Sequence, residues 1–354
     1  MSPNSTSFPS LTRRKMLQGS LATSLATPFV LQSGLSRAAT TDIKFSLAAP
    51  FDGSNAAFFL GESRGWYRDA GLNCQFDASG GSGEAVSRVG SGVYDLGIGD
   101  INAMMEFNVK NPASAIRCVY MLYYRSPLSA ATLTKTGIVK AGDLAGRKIG
   151  AAATDGAYRL FSTFSKAAGI DAASIAWNMV GLQLREAVLA RGDVEAILGF
   201  DSTMYFGLTK AGIKPADIRF IYYSDAGLDL YGNGILVSQK MRSTNPDAVK
   251  RFVEVTARSW QAAAADPKAA VAALKAKVPL INAELEEEKL RWLVKNQLTT
   301  DESSTDGLGG VRAARLTNSL AAVAAGYGLS TVPKPDEVFD AAFLPSAAVR
   351  KLPA

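Results

Sequence analysis

Histidine does not occur once in the 354 residues. Its absence excludes Ser-His-Asp and Cys-His nucleophilic catalysis, histidine-ligated zinc and the usual near-neutral acid–base group. Cysteine is nearly absent too. Cys74 and Cys118 are the two present, and no paired-cysteine zinc pattern can form from them. Both fall in strand-like runs, Leu72–Phe76 and Ile116–Tyr120. Thiols on non-neighbouring strands of one sheet stand too far apart to pair, so buried free thiols are expected. There is no phosphate loop and no Gly-x-Gly-x-x-Gly fingerprint, so neither a nucleotide nor a metal is expected as cofactor. These gaps weigh against an enzyme. Lysine, aspartate or glutamate chemistry stays open.

What is present begins with an address. Thr12-Arg13-Arg14-Lys15-Met16-Leu17-Gln18 matches a twin-arginine export pattern, and a weakly apolar run from Gly19 to Leu31 follows, ending in small residues at Ser36-Arg37-Ala38. The run is too short, and too broken by Ser, Thr and Pro28, to anchor in a bilayer. Residues 1–38 are therefore expected to be a cleaved signal for export, folded, to the periplasm. Four basic residues precede Asp42, the first acid, leaving 34 bases against 32 acids and a net charge of +2. That balance does not argue for nucleic acid. The 316 residues after the cut exceed what one core usually organises, so two lobes are expected.

The chain looks built twice. Ser91-Gly92-Val93-Tyr94-Asp95-Leu96-Gly97-Ile98-Gly99-Asp100 and Arg191-Gly192-Asp193-Val194-Glu195-Ala196-Ile197-Leu198-Gly199-Phe200-Asp201 share one plan. A Gly closes a helix, an acid three positions on enters a short apolar strand, and an Asp opens the next helix. Around them the pattern alternates strand and helix with short connections, predicting largely parallel sheets. Single helices are expected over Asn55–Arg68 and Gly156–Ala168. Pro246–Ala264 reads as an amphipathic helix with Val249, Phe252, Val253, Thr256 and Trp260 on one face. The acidic run Glu284–Glu288 reads as a solvated helix face.

Ligands of open α/β sheets sit beyond the carboxyl ends of the strands. The candidates at those corners are Phe51, Asp52 and Asn55; Gly81 and Ser82; Asp100; Tyr123, Tyr124 and Arg125 where the chain crosses between halves; Thr154 and Asp155; Asp201 and Tyr205; Asp225 and Asp229. Ser79-Gly80-Gly81-Ser82-Gly83 has two readings: free N–H groups that grip a ligand, or a tight turn needing positive φ. The aspartates likewise either bind or cap, since a carboxylate at a helix start accepts the N–H bonds an anion would need. Acids outnumber bases among the candidates, which favours a flat, neutral or amine-bearing solute over an anion.

Gly65-Trp66-Tyr67-Arg68-Asp69-Ala70-Gly71-Leu72, Gly80-Gly81-Ser82, Gly92-x-x-Asp95-Leu96-Gly97, Asp143-Leu144-x-Gly146-Arg147-Lys148-Ile149-Gly150, Asn245-Pro246-Asp247-Ala248-Val249 and Asp266-Pro267 occur in that order. In order and spacing the chain resembles the periplasmic solute-binding proteins of the nitrate, sulfonate/taurine and thiamine-pyrimidine ABC importers. The resemblance implies a type II-like two-lobed α/β fold, each lobe a mostly parallel sheet flanked by helices, joined by two hinge strands. Lobe 1 would hold 39–123 and 228–354, and lobe 2 124–227. It also implies a monomer that clamps a small solute, pyrimidine-like by the acid argument, and delivers it to a permease and an ATPase in other chains. Sulfonate, taurine or nitrate is the alternative solute. The same superfamily includes a pyrimidine synthase that consumes its own histidine, which this chain cannot do. A histidine-independent enzyme, such as a dehydratase, and a binding module reporting to a sensor remain as competing classes.

Overall fold

The computed structural model describes residues 40–153 and 155–352. Residues 1–38, expected to be an export signal, and the candidate Thr154 lie outside them. From Thr40 the chain runs β1 (Thr41–Ser46), α1 (Ala56–Ser63), α2 (Trp66–Asp69), β2 (Leu72–Asp77), α3 (Ser82–Gly90), β3 (Leu96–Asp100), α4 (Ile101–Lys110) and β4 (Arg117–Met121). It then crosses over to β5 (Leu128–Leu133), β6 (Lys148–Ala151), α5 (Gly156–Arg159), α6 (Phe161–Ala167), β7 (Ala176–Met179), α7 (Arg185–Arg191), β8 (Ala196–Phe200), α8 (Asp201–Lys210) and β9 (Ile218–Tyr222). A second crossing brings it back as β10 (Asn233–Val237). Five further helices follow: α9 (Gln239–Thr244), α10 (Pro246–Ala265), α11 (Pro267–Lys277), α12 (Ala283–Leu293) and α13 (Asp301–Asp306). The chain closes with α14 (Ala313–Tyr327) and α15 (Pro335–Val338).

The strands form two sheets of the same design, in the orders β2-β1-β3-β10-β4 and β7-β6-β8-β5-β9. In each, three strands pair in parallel, the fourth is antiparallel to both neighbours, and the fifth points with the first three. The fourth strand is the one a crossing delivers. β5 opens the second sheet and β10 returns to the first, so the connections Leu122–Pro127 and Tyr223–Gly232 tie the two sheets together twice.

Local chemistry explains the repeated corner. Gly92 and Gly192 sit at φ 74° and 84° after α3 and α7, a conformation that costs a residue with a Cβ about 1 kcal/mol or more. The chain then turns straight into β3 or β8. Two expected helices are divided. Gly65, at φ 71°, ends α1 and starts α2, because a left-handed residue cannot continue the hydrogen-bond ladder. α5 and α6 part at Leu160, whose φ of −94° and ψ of 3° leave the helical region.

The first sheet's core gathers on Phe45, whose ring lies 5.2 Å from Phe252, 4.9 Å from Phe58 and 5.5 Å from Phe76. Val249, Phe252, Val253, Thr256 and Trp260 of α10 are all buried, the face its periodicity predicts. Cys74 on β2 and Cys118 on β4 occupy opposite edges of one sheet, and both are free. Among the described residues no helix is long and apolar enough to cross a membrane.

The acidic run departs from its expectation. Glu286 is buried, and its Oε2 accepts a 2.6 Å bond from the Gly53 N–H. Glu286 shares the three- and four-residue spacing of Leu290 and Leu293, which are also buried, so the inward face was written in the periodicity and masked by its acidic neighbours. Gly53 permits this approach, since a Cβ there would overlap the Glu286 carbonyl oxygen.

Candidate functional site

The corners at the carboxyl ends of both sheets are closed by short helix starts. After β1, Asp52 caps the turn Gly53–Asn55: its Oδ1 accepts from the Ser54 N–H at 3.0 Å and hydroxyl at 2.6 Å. Its Oδ2 lies 3.8 Å from Lys289 Nζ. Burial pushes this carboxyl up, against the Ser54 and Lys289 contributions. Asn55 is buried and donates to the Pro50 carbonyl at 3.2 Å, while Phe51 packs edge-on against Phe59 at 5.3 Å. After β2, Gly81 takes φ 151° and no side chain caps α3 at Ser82. Glu84, the acid of the first turn, turns back to accept from the Gly80 N–H at 2.7 Å. The starting N–H groups of α3 thus keep the positive end of a helix without a capping anion.

After β3, Asp100 caps α4, accepting from Asn102 and Ala103 N–H at 2.7 and 3.1 Å, both on Oδ1. Burial pushes its carboxyl up to about 6, with the Asp155 charge adding to the rise. Asp155 caps α5 through Oδ1 at 2.8 Å and pairs through Oδ2 with Arg185 Nη1 at 2.8 Å. Burial raises this carboxyl as well, and the Arg185 charge opposes it. Arg185 is itself buried, donates to the Leu198 carbonyl at 3.1 Å and pairs with Glu186. Gly199 makes room for it, because a Cβ on that strand would strike the guanidinium.

Asp201 is fully occupied. It accepts from Ser202 N–H at 2.6 Å, Tyr222 Oη at 3.0 Å and Gln297 Nε2 at 2.9 and 2.7 Å, and burial pushes it up to about 6. Tyr123 is buried in the crossing, where the charges of Asp52 and Asp201 reinforce the upward push of burial on its hydroxyl. Tyr124 points elsewhere, donating to the Gly310 carbonyl at 2.9 Å. Arg125 is exposed and lies over the Tyr222 ring at 5.3 Å. Tyr205 stacks on Trp292 at 4.3 Å. Asp225 and Asp229 are exposed, one accepting from the Tyr222 N–H at 3.3 Å, the other paired with Arg315 at 2.6 Å. The structure thus groups Asp100 with Asp155, and Tyr123 with Asp52 and Asp201, while Tyr124, Asp225 and Asp229 serve contacts away from these groups.

Contacts invisible to the sequence pattern complete the site. Arg159 of α5 pairs with Glu106 of α4, joining the lobes, and stacks over the Tyr327 ring at 4.7 Å. The Tyr327 hydroxyl is raised by burial first and then by the charge of Asp100, so α14 reaches the Asp100 and Asp155 corners. No metal-holding group of three or more acids or thiols occurs among the described residues. A cavity of about 440 Å³ lies apart from the corners, among Glu302, Val311, Leu316, Phe339, Leu344 and Arg350; mainly apolar walls and no strand end set it apart from them.

The profile of the NMT1/THI5-like family matches residues 53–270. No curated protein matches by sequence. Among solved structures, the periplasmic aliphatic sulphonate-binding protein SsuA from Escherichia coli superposes with a TM-score of 0.64 at 14% identity, over 88% of this chain and 91% of that one. The alkanesulfonate-binding SsuA from Xanthomonas axonopodis pv. citri, bound to MOPS, gives 0.61 at 15%, over 85% and 96%. The ligand-binding component of an ABC-type import system from Staphylococcus aureus gives 0.63 at 11%, over 86% and 97%. Such identities carry the fold. The chain belongs to the NMT1/THI5-like family and has the two-lobed fold of periplasmic binding proteins.

Proposed function

We propose that this protein is the solute-binding component of an ABC importer, exported by the twin-arginine route and working as a monomer with a permease and an ATPase in other chains. The observation that carries this reading is the doubled corner: helix starts from both lobes, at Ser82 and Asp100 on one side and Asp155 and Asp201 on the other, at strand ends where such sheets hold ligands. Residues 39–123 with 228–354 would move as one body and 124–227 as the other, closing on the solute by rotation about the two crossings. The protein would perform no chemistry on what it binds.

For the solute, a small flat compound bearing N–H groups is the first choice. Asp100 supports it, since both helix-cap bonds fall on one oxygen and leave the other for a donor. Sulfonate or nitrate is the second reading, favoured by the start of α3, where no side chain caps the N–H groups of Ser82 and Gly83. A thermal-shift panel separates the two. Aminopyrimidines are expected to raise Tm, by about 2.7 kcal/mol of added stability at a hundredfold excess over Kd, and taurine, alkanesulfonates and nitrate to leave it unchanged. The opposite pattern would assign the specificity to α3.

A further inference from the structure

The C-terminal helix α12 touches both lobes. On the first-lobe side its Glu286 caps the Gly53 N–H at 2.6 Å, the backbones meet where Gly53 has no Cβ, and Lys289 links Glu286 (3.0 Å) to Asp52 (3.8 Å). On the other side Trp292 stacks on Tyr205 of α8 at 4.3 Å and 25°, with Phe206 and Phe220 edge-on at 6.1 and 6.2 Å. α12 then widens into a single π-helical turn, Val294–Leu298, a deviation that often marks functional segments. Within it, Gln297 does two things. Its side-chain NH2 donates to both oxygens of Asp201, and its backbone carbonyl accepts from the N–H groups of Tyr124 and Arg125 in the first crossing, at 2.8 and 3.2 Å.

The geometry points to α12 and its π-turn as a strap between the lobes, fixed to the first and releasable from the second. The two ends differ in kind. The first-lobe end is backbone against backbone, with a backbone N–H capped, and separating it would orphan a buried donor. The second-lobe end consists of the Trp292 ring against Tyr205, Phe206 and Phe220, a long exposed bond from the Tyr205 hydroxyl to Glu288 at 3.5 Å and the Gln297–Asp201 pair, side-chain contacts that separate without breaking a backbone ladder. The Gln297 backbone carbonyl is bonded to the first crossing, so rotation of the second lobe turns beside the residue that holds Asp201. When the lobes part, Trp292 leaves Tyr205 and Gln297 leaves Asp201, while Glu286 stays on Gly53. This holds whatever solute the protein carries.

The test uses the mature chain, 39–354, without solute. Small-angle X-ray scattering of Trp292→Ala is expected to show a larger radius of gyration than wild type, and Tyr205→Phe, which keeps the stacked ring, the wild-type value. Hydrogen exchange of amides 202–208 should quicken about tenfold in Trp292→Ala, while 53–60 keep their protection. Should Trp292→Ala fail to fold, Gln297→Leu removes the donor to Asp201 and is expected to give the same two shifts. Unchanged dimensions and exchange in the folded variants, or loosening of 53–60 together with 202–208, would overturn the strap.

Discussion

Replacing Arg185 by methionine is expected to destabilise the protein by about 3–5 kcal/mol, a large share of the roughly 5–15 kcal/mol that holds a typical domain folded. Both partners of the Arg185–Asp155 pair are almost wholly buried, with side-chain exposures of 2% and 8%. Methionine fills much of the aliphatic volume but leaves the Asp155 carboxylate inside without a counter-charge. It also removes a donor to the Leu198 carbonyl, which accepts from the same guanidinium nitrogen as Asp155. Arg185→Lys retains the charge without the planar fork that serves Asp155, Leu198 and Glu186 together, and an intermediate loss is expected. Urea unfolding at pH 7.5 measures both. A midpoint unchanged in Arg185→Met would mean that Asp155 is solvated or neutral in the folded protein.

Stability is expected to rise as pH falls from 7.5 to about 5. Asp100 and Asp201 are pushed up to about 6 by burial, from the ordinary value of 3.8. Between those values the folded protein binds more protons than the unfolded chain, so each group's contribution is fully present below about 4 and is lost as pH climbs through about 6. A shift of this size corresponds to at most about 3 kcal/mol per group. Asp52 and Asp155 are raised as well and act in the same direction. Glu195 opposes them. The Lys148 N–H and then Arg147 hold it below its usual value, and its contribution disappears only under more acid conditions. A maximum between about pH 4 and 5 is the outcome, read as Tm against pH. Asp201→Asn should flatten the slope between pH 5 and 7, and an unaltered slope would remove Asp201 from the account.

The sequence discloses most where the chemistry is local. The doubled Gly-x-x-acid-strand-Asp segment reports a helix end, a strand and a helix start within ten residues, and both copies fold as their spacing predicts. The buried face of α10 is equally plain, because a 3.6-residue rhythm of large apolar groups survives any tertiary context. Capping is one of the two roles open to the four corner aspartates, and Asp52, Asp100 and Asp155 take it, while Asp201, the first residue of α8, is held instead by Tyr222 and Gln297. What escaped detection depends on partners far away in the chain. Gln297 meets Asp201 across 96 positions, and Glu286 meets Gly53 across 233. No periodicity spans such distances. Arg185 was missed for a different reason: a lone arginine at the start of a helix looks like surface charge until the strand beside it is seen to carry a glycine, Gly199, that makes room for it.

Native mass spectrometry of freshly purified chain 39–354 tests the central claim most directly. One small molecule per chain, released unchanged in mass after prolonged incubation, with a more compact protein when it is bound, is the predicted result. Recovery of a chemically altered compound, or saturating occupancy with no change in dimensions, would contradict it.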